Sequence, residues 1–269
     1  MSHTFSSGSP LPAASPNQPL YTPIKRRSFF MYAGATAGAT ALVLAGCKNG
    51  EDTNNPAITD VGSGDAGILN YAYALEQLEA AFYAQVRTGS YYSGASTAEK
   101  QIFDDLALHE AIHRDFFKAA ITATPGATLL KDLTPNFSSI NFNDKGQVLQ
   151  AAQTFEDTGV AAYNGAGRFI TDNAYLGLAG KIVSVEARHA ALIRDLRQYN
   201  SFVDSTIVNT FAQTAGAAPG TGTPNTTPNT QGNGNPGPGQ ERSKRPPQIL
   251  AAVNNFLADG SKLSANSFA

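Results

Sequence analysis

Residues 109–113 read His109-Glu110-Ala111-Ile112-His113, and residues 185–189 read Val185-Glu186-Ala187-Arg188-His189. A Glu at i and a His at i+3 lie on one face of a helix, so one ion can take a ligand from each. Apolar residues recur at helical spacing around both pairs: Phe103, Leu106 and Phe117 about the first, Ile182, Ile193 and Leu196 about the second. Each pair therefore belongs to the apolar stripe of its helix, where a carboxylate is costly unless it is paired or binds metal. From Cys47 onward the chain has only three His and eight Glu in 223 residues. Composition alone would put a Glu three residues before a given His roughly 4 % of the time, so two such pairs are a strong signal.

Two more helices carry a lone Glu in the same kind of stripe. Glu76 sits with Leu69, Ala72, Ala80 and Tyr83 on a helix expected over 66–88, and Glu156 lies within one expected over 144–171. The paired motifs fall on helices expected over 96–122 and 174–200. Asp65 is the expected cap of the first helix, and Ser96 or Thr97, with Glu99 behind it, caps the second. Short links join the first helix to the second and the third to the fourth, so each pair forms an antiparallel hairpin. Residues 124–143, with Pro125-Gly126 at their start and Pro135 inside, form a long connection. Extended, it reaches about 60 Å, against roughly 40 Å for the helix it must pass. The expected fold is all-α: a four-helix bundle of two hairpins joined by one long crossover, over residues 66–212.

Pooled, the four stripes offer four carboxylates and two imidazoles: Glu76, Glu110, His113, Glu156, Glu186 and His189. That is the donor set of a carboxylate-bridged pair of iron ions, or alternatively of two manganese ions. The chain also repeats itself. Tyr83 follows Glu76 by seven residues and Tyr163 follows Glu156 by seven, so the two halves match at an offset of about 80. The repeat chooses between neighbours. Glu79 is only about 60° around the helix from Glu76, but its counterpart is Gly159, whereas the counterpart of Glu76 is Glu156. Glu76 is thus the expected ligand, with Glu79 a supporting or substitute group. By the same test His109, matched by Val185, supports the ligands or faces solvent. Tyr83 and Tyr163 read first as core tyrosines, with hydrogen bonding at the site as the alternative. The plainer reading of each Glu-x-x-His is a solvated helix pair. The plainer reading of the whole is a metal-free bundle serving as a surface or structural scaffold.

The stretches Leu75–Tyr83, His109–His113, Glu156–Tyr163 and Val185–His189 resemble the ferritin-like superfamily. They are most similar to the ferritin-like domain family that includes plant desiccation-related proteins and many exported bacterial proteins. The resemblance covers about residues 66–200. It implies that Glu110 and Glu186 bridge two ions, that Glu76 and Glu156 are terminal, and that each His binds one ion. It also implies reaction with dioxygen or peroxide: oxidation of Fe(II) or removal of peroxide. Many relatives carry an acid just before each Glu-x-x-His to support the imidazole. Here those positions are His109 and Val185, which leaves Asp157 or Asp195 as substitutes.

Outside the bundle the sequence changes character. Lys25-Arg26-Arg27-Ser28-Phe29-Phe30 precedes an uncharged run, Met31–Gly46, that ends Leu44-Ala45-Gly46-Cys47. Arg26 and Arg27 resemble a twin-arginine export signal, and the end resembles a bacterial lipoprotein box. That resemblance implies lipid on Cys47 and an extracytoplasmic protein tied to a bacterial membrane, at the periplasm or cell surface. The alternatives are an uncleaved anchor helix and a buried one. Residues 47–65 read as a flexible tether and 213–247, rich in Gly, Pro, Thr and Asn, as disordered. Residues 248–269 read as a short helical segment that docks on the bundle or binds a partner. The single cysteine excludes an intrachain disulfide, a Cys₄ zinc site and a Cys-ligated iron–sulfur centre. Three of the 19 basic residues and none of the 21 acidic ones precede Cys47, which leaves 16 against 21 after it, a net of −5. That balance is the wrong sign for a nucleic-acid partner. A homodimer is compatible with the sequence.

Overall fold

The computed structural model describes residues 58–203, 207–208 and 240–269. Arg26, Arg27, Cys47, the start of the tether and most of the Gly/Pro-rich stretch lie outside the described residues. Six helices are described: α1 (Gly64–Val86), α2 (Ser90–Gly94), α3 (Thr97–Ala123), α4 (Lys145–Ala166), α5 (Asn173–Arg197) and α6 (Pro246–Val253). Two three-residue strands, β1 (Ile58–Asp60) and β2 (Lys262–Ser264), pair in parallel with Ile58 opposite Lys262 and Asp60 opposite Ser264. No described helix is long and apolar enough to cross a membrane.

α1 packs chiefly on α3, and α4 on α5, which makes two hairpins. The link inside the first is the one-turn helix α2 rather than a plain loop. Local chemistry sets the helix starts. Ser96 and Glu99 form a reciprocal capping box at α3. Asp144 accepts from the Gln147 amide at 2.8 Å to open α4, and Asp172 accepts from Ala174 at 2.7 Å to open α5. Asp65 departs from its expected role. The cap position of α1 is Ser63, and the Asp65 carboxylate instead accepts from the amides of Thr171 and Asp172 and the Thr171 hydroxyl, at 2.8, 2.9 and 2.9 Å. It pins the start of α1 to the turn between α4 and α5.

α1 is buried nearly all round because the crossover lies along it. A loop laid over a core must have its backbone groups satisfied, and one face of α1 does this. Asn70 accepts from the Leu130 amide at 2.9 Å and donates to the Thr128 carbonyl at 2.8 Å. Gln77 accepts from the Leu133 amide at 2.7 Å, and the Tyr73 hydroxyl donates to Asp132 at 3.0 Å.

The C-terminal segment docks on the bundle and is only partly helical. Ile249, Leu250, Val253 and Leu257 are buried. Phe256 stacks edge-on against Phe155 of α4 at 4.8 Å. Asn136 donates to the Phe256 carbonyl at 2.7 Å, and Ala258 to the Thr134 carbonyl at 2.9 Å. Lys244 donates to the Ala161 carbonyl at 3.0 Å, so close to α4 that a Cβ on Gly165 would lie 1.8 Å from the Lys244 carbonyl oxygen. The segment after α6 then runs into β2 and closes the sheet with β1.

Candidate metal centre

The four long helices bring Glu76, Glu110, His113, Glu156, Glu186 and His189 to one place in the bundle interior. The four carboxylates are fully buried, and the His113 and His189 side chains are 12 % and 6 % exposed. The six fall into two ligand groups, Glu76–Glu110–His113–Glu186 and Glu110–Glu156–Glu186–His189, each with one atom per residue within 4.8 Å of the others. Glu110 and Glu186 belong to both groups, while Glu76 with His113 and Glu156 with His189 belong to one each.

The oxygens divide the same way. His113 Nδ1 lies 2.8 Å from Glu186 Oε1, 3.4 Å from Glu110 Oε2 and 3.5 Å from Glu76 Oε2. His189 Nδ1 lies 2.8 Å from Glu110 Oε1, 3.5 Å from Glu186 Oε2 and 3.6 Å from Glu156 Oε2. Each shared carboxylate thus turns one oxygen to each imidazole. Close as they are, these atoms meet as ion pairs and none makes an aligned hydrogen bond. Buried polar atoms are almost always partnered, and leaving one bare costs about 1–3 kcal/mol. Eight such atoms facing one volume could hold cations, and the donor types fit iron or manganese. The four carboxylates would carry the charge that two divalent ions could neutralise.

The electrostatics say the same. Burial, then repulsion from Glu186, pushes the Glu76 carboxyl well above its usual range. Burial pushes Glu156 up to about 8. Burial opposes charge on His113 and His189, but the surrounding carboxylates outweigh it and raise both to about 12. Burial also works against the Glu110 carboxylate, yet the two imidazoles hold it at about 2. Protons on the raised carboxyls and imidazoles offset part of the buried negative charge.

Tyr83 and Tyr163 are hydrogen-bonding groups of the site rather than plain core residues. The Tyr83 hydroxyl donates to Glu156 Oε1 and the Tyr163 hydroxyl to Glu76 Oε1. Each phenol holds the terminal carboxylate of the other half and leaves its Oε2 toward the imidazole. His109 supports the centre: its Nδ1 is 2.9 Å from His189 Nε2, with the rings 11° apart. Asp157 and Asp195 do not take that role. Asp157 receives two bonds from the buried Arg194, at 2.8 and 2.6 Å, and Asp195 accepts from the Asn200 amide at 2.6 Å. Glu79 lies outside both ligand groups but beside them. It is buried, its Oε2 has no partner, and a Cβ on Gly159 would lie 3.1 Å from its Oε1. Burial, then the charges of Glu76 and Glu186, raises its carboxyl well above the usual range.

Arg194 carried no signal in the sequence, since a last-turn arginine on a helix reads as solvated. The crossing of the two tyrosines was half visible: their shared i+7 spacing marks them as equivalent, but spacing along one helix does not say which partner lies across the bundle.

No curated protein matches the chain. Residues 64–199, half of its length, match the ferritin-like domain family, and the four long helices within them carry all six clustered Glu and His side chains: the chain belongs to that family.

Proposed function

We propose that the chain binds two iron ions, or two manganese ions, and uses them on dioxygen or peroxide, either to oxidise Fe(II) or to remove peroxide. The observation that carries this reading is the division of the six side chains into two groups sharing Glu110 and Glu186, with every facing atom buried and none in an aligned hydrogen bond. When bound, such an ion pair supplies a two-electron change at one spot. The chain's residues do the rest. Glu110 and Glu186, which belong to both groups, would hold the two cations in common. Tyr83 and Tyr163 fix which oxygen of Glu156 and Glu76 is free. His109 fixes the ring of His189 through its second nitrogen. Leu106, Phe117 and Ile193, each four residues along its helix from Glu110, His113 or His189, are buried and add apolar surface next to the site.

The twin arginines and the Leu-Ala-Gly-Cys end support an exported protein anchored by lipid on Cys47. Stress protection outside the cytoplasm is the role this combination favours.

Elemental analysis tests the site. Residues 48–269, supplied with iron or manganese, are expected to hold about two ions per chain, and a Glu110→Ala plus Glu186→Ala variant none. Equal, substoichiometric metal in both proteins would overturn the reading in favour of a scaffold.

A further inference from the structure

The two halves of the bundle are not packed alike. Glu76 corresponds to Glu156 and Tyr83 to Tyr163, while Glu110 corresponds to Glu186, 76 residues on; by that offset Phe103 corresponds to Ala179. Phe103 is fully buried and lies against the Tyr83 ring, 6.3 Å between centroids. Beside Tyr163 the matching side chain is only the methyl group of Ala179, and a cavity of about 30 Å³ remains, walled by Ala72, Leu75, Phe117, Tyr163 and Ala179 among others. The wall is continuous with one half of the metal centre. Leu75 precedes Glu76, Phe117 follows His113 by one helical turn and stacks on Tyr163 at 6.2 Å, and the Tyr163 hydroxyl is bound to Glu76.

The cavity's polar neighbours are already engaged. Besides the Tyr163 hydroxyl on Glu76, the Tyr175 hydroxyl lies 2.9 Å from Thr124 Oγ1, and Asp65 is taken up by Thr171 and Asp172. Only the Tyr71 hydroxyl lacks a partner. The cavity opens toward solvent past the half-buried Tyr175, Leu178 and Ala179, but an ordered water needs two to four polar partners, and an apolar lining without them favours a nonpolar guest. The volume is that of roughly two water-sized spheres side by side, which suits a diatomic molecule.

We propose that this cavity is a binding site for dioxygen, set beside the Glu76–His113 half of the centre, where Ala179 stands in place of the Phe103 that packs on Tyr83 in the other half. Its purpose rests on the di-metal reading above; its occupancy by a nonpolar gas does not.

The test is paramagnetic relaxation of methyl signals by dissolved dioxygen, in the full chain supplied with diamagnetic zinc. Leu75 and Ile68, which line the cavity, are expected to relax faster than Leu106 and Ile193, which are equally buried away from it. Ala179→Phe, which copies Phe103 onto the open side, is expected to abolish the excess. Leu75 relaxing no faster than Ile193, or an excess that survives in a folded A179F, would overturn the proposal. If A179F does not fold, the comparison within the unaltered chain still decides. Zinc content of the same sample separates the two readings. Excess relaxation in a chain that retains no zinc here and no iron or manganese in the elemental analysis above upholds the cavity and sinks the metal centre, and bound metal without excess relaxation does the reverse.

Discussion

Replacing Glu156 by Gln should stabilise the metal-free protein at neutral pH while spoiling it as a metal protein. Burial lifts the Glu156 carboxyl from 4.5 to about 8, so at pH 7 it is protonated in the folded chain and ionised in the unfolded one. Each pH unit above 4.5 then favours unfolding by about 1.4 kcal/mol, and the cost reaches about 3 kcal/mol at pH 7. The sign is that of a carboxyl raised on folding: its contribution is intact below 4.5, is lost as pH climbs to about 8, and is gone above that. Gln has the shape of the protonated acid, can still accept from the Tyr83 hydroxyl, and never ionises. After chelation, urea unfolding of the two proteins should coincide at pH 4, with E156Q ahead by about 3 kcal/mol at pH 7, a midpoint shift of about 1–3 M. With iron or manganese present the order should reverse, because the amide is the poorer ligand. Coincident curves at both pH values, or a metal-free variant weaker at pH 7, would refute the idea that an uncompensated buried carboxylate limits stability here.

Other consequences follow from the same geometry. Glu76→Ala touches one ligand group and Glu110→Ala touches both, so metal analysis should find one ion retained in the first variant and none in the second. Tyr163→Phe strips the buried Glu76 carboxyl of the hydroxyl that donates to it and should cost about 1–3 kcal/mol, a drop in Tm of about 2–12 °C at this size. Gly165→Ala puts a Cβ into the Lys244 carbonyl; it should release the C-terminal segment, seen as faster proteolysis after residue 240 with helix content nearly unchanged.

The bundle was legible because its constraints are local and periodic. Glu110 and His113 share a helix face by spacing alone, and a reciprocal pair such as Ser96 and Glu99 caps a helix wherever it occurs. What escaped the sequence depends on residues far apart. Asp65 precedes an apolar run and so reads as a cap, yet its carboxylate is claimed by Thr171, 106 positions away. Nothing near Asn70 and Gln77 in the sequence marks them as the groups that satisfy the crossover's amides, 60 and 56 positions away. Three-residue strands such as β1 and β2 are too short to show alternation, and their partners lie at opposite ends of the described chain. Asp157 was a plausible support for an imidazole until the structure placed Arg194 across from it.

The crossed phenols also fix alignment. Tyr83 of one hairpin holds Glu156 of the other, and Tyr163 returns the hold on Glu76. If one hairpin slid past its neighbour by a single helical turn, about 5.4 Å, both bonds would break together, and the shared pair Glu110 and Glu186 would be pulled out of step. An apolar seam rich in alanine tolerates such slippage, since one small residue replaces another. The polar centre does not, so the groups that make the interior expensive are also the ones that permit a single register.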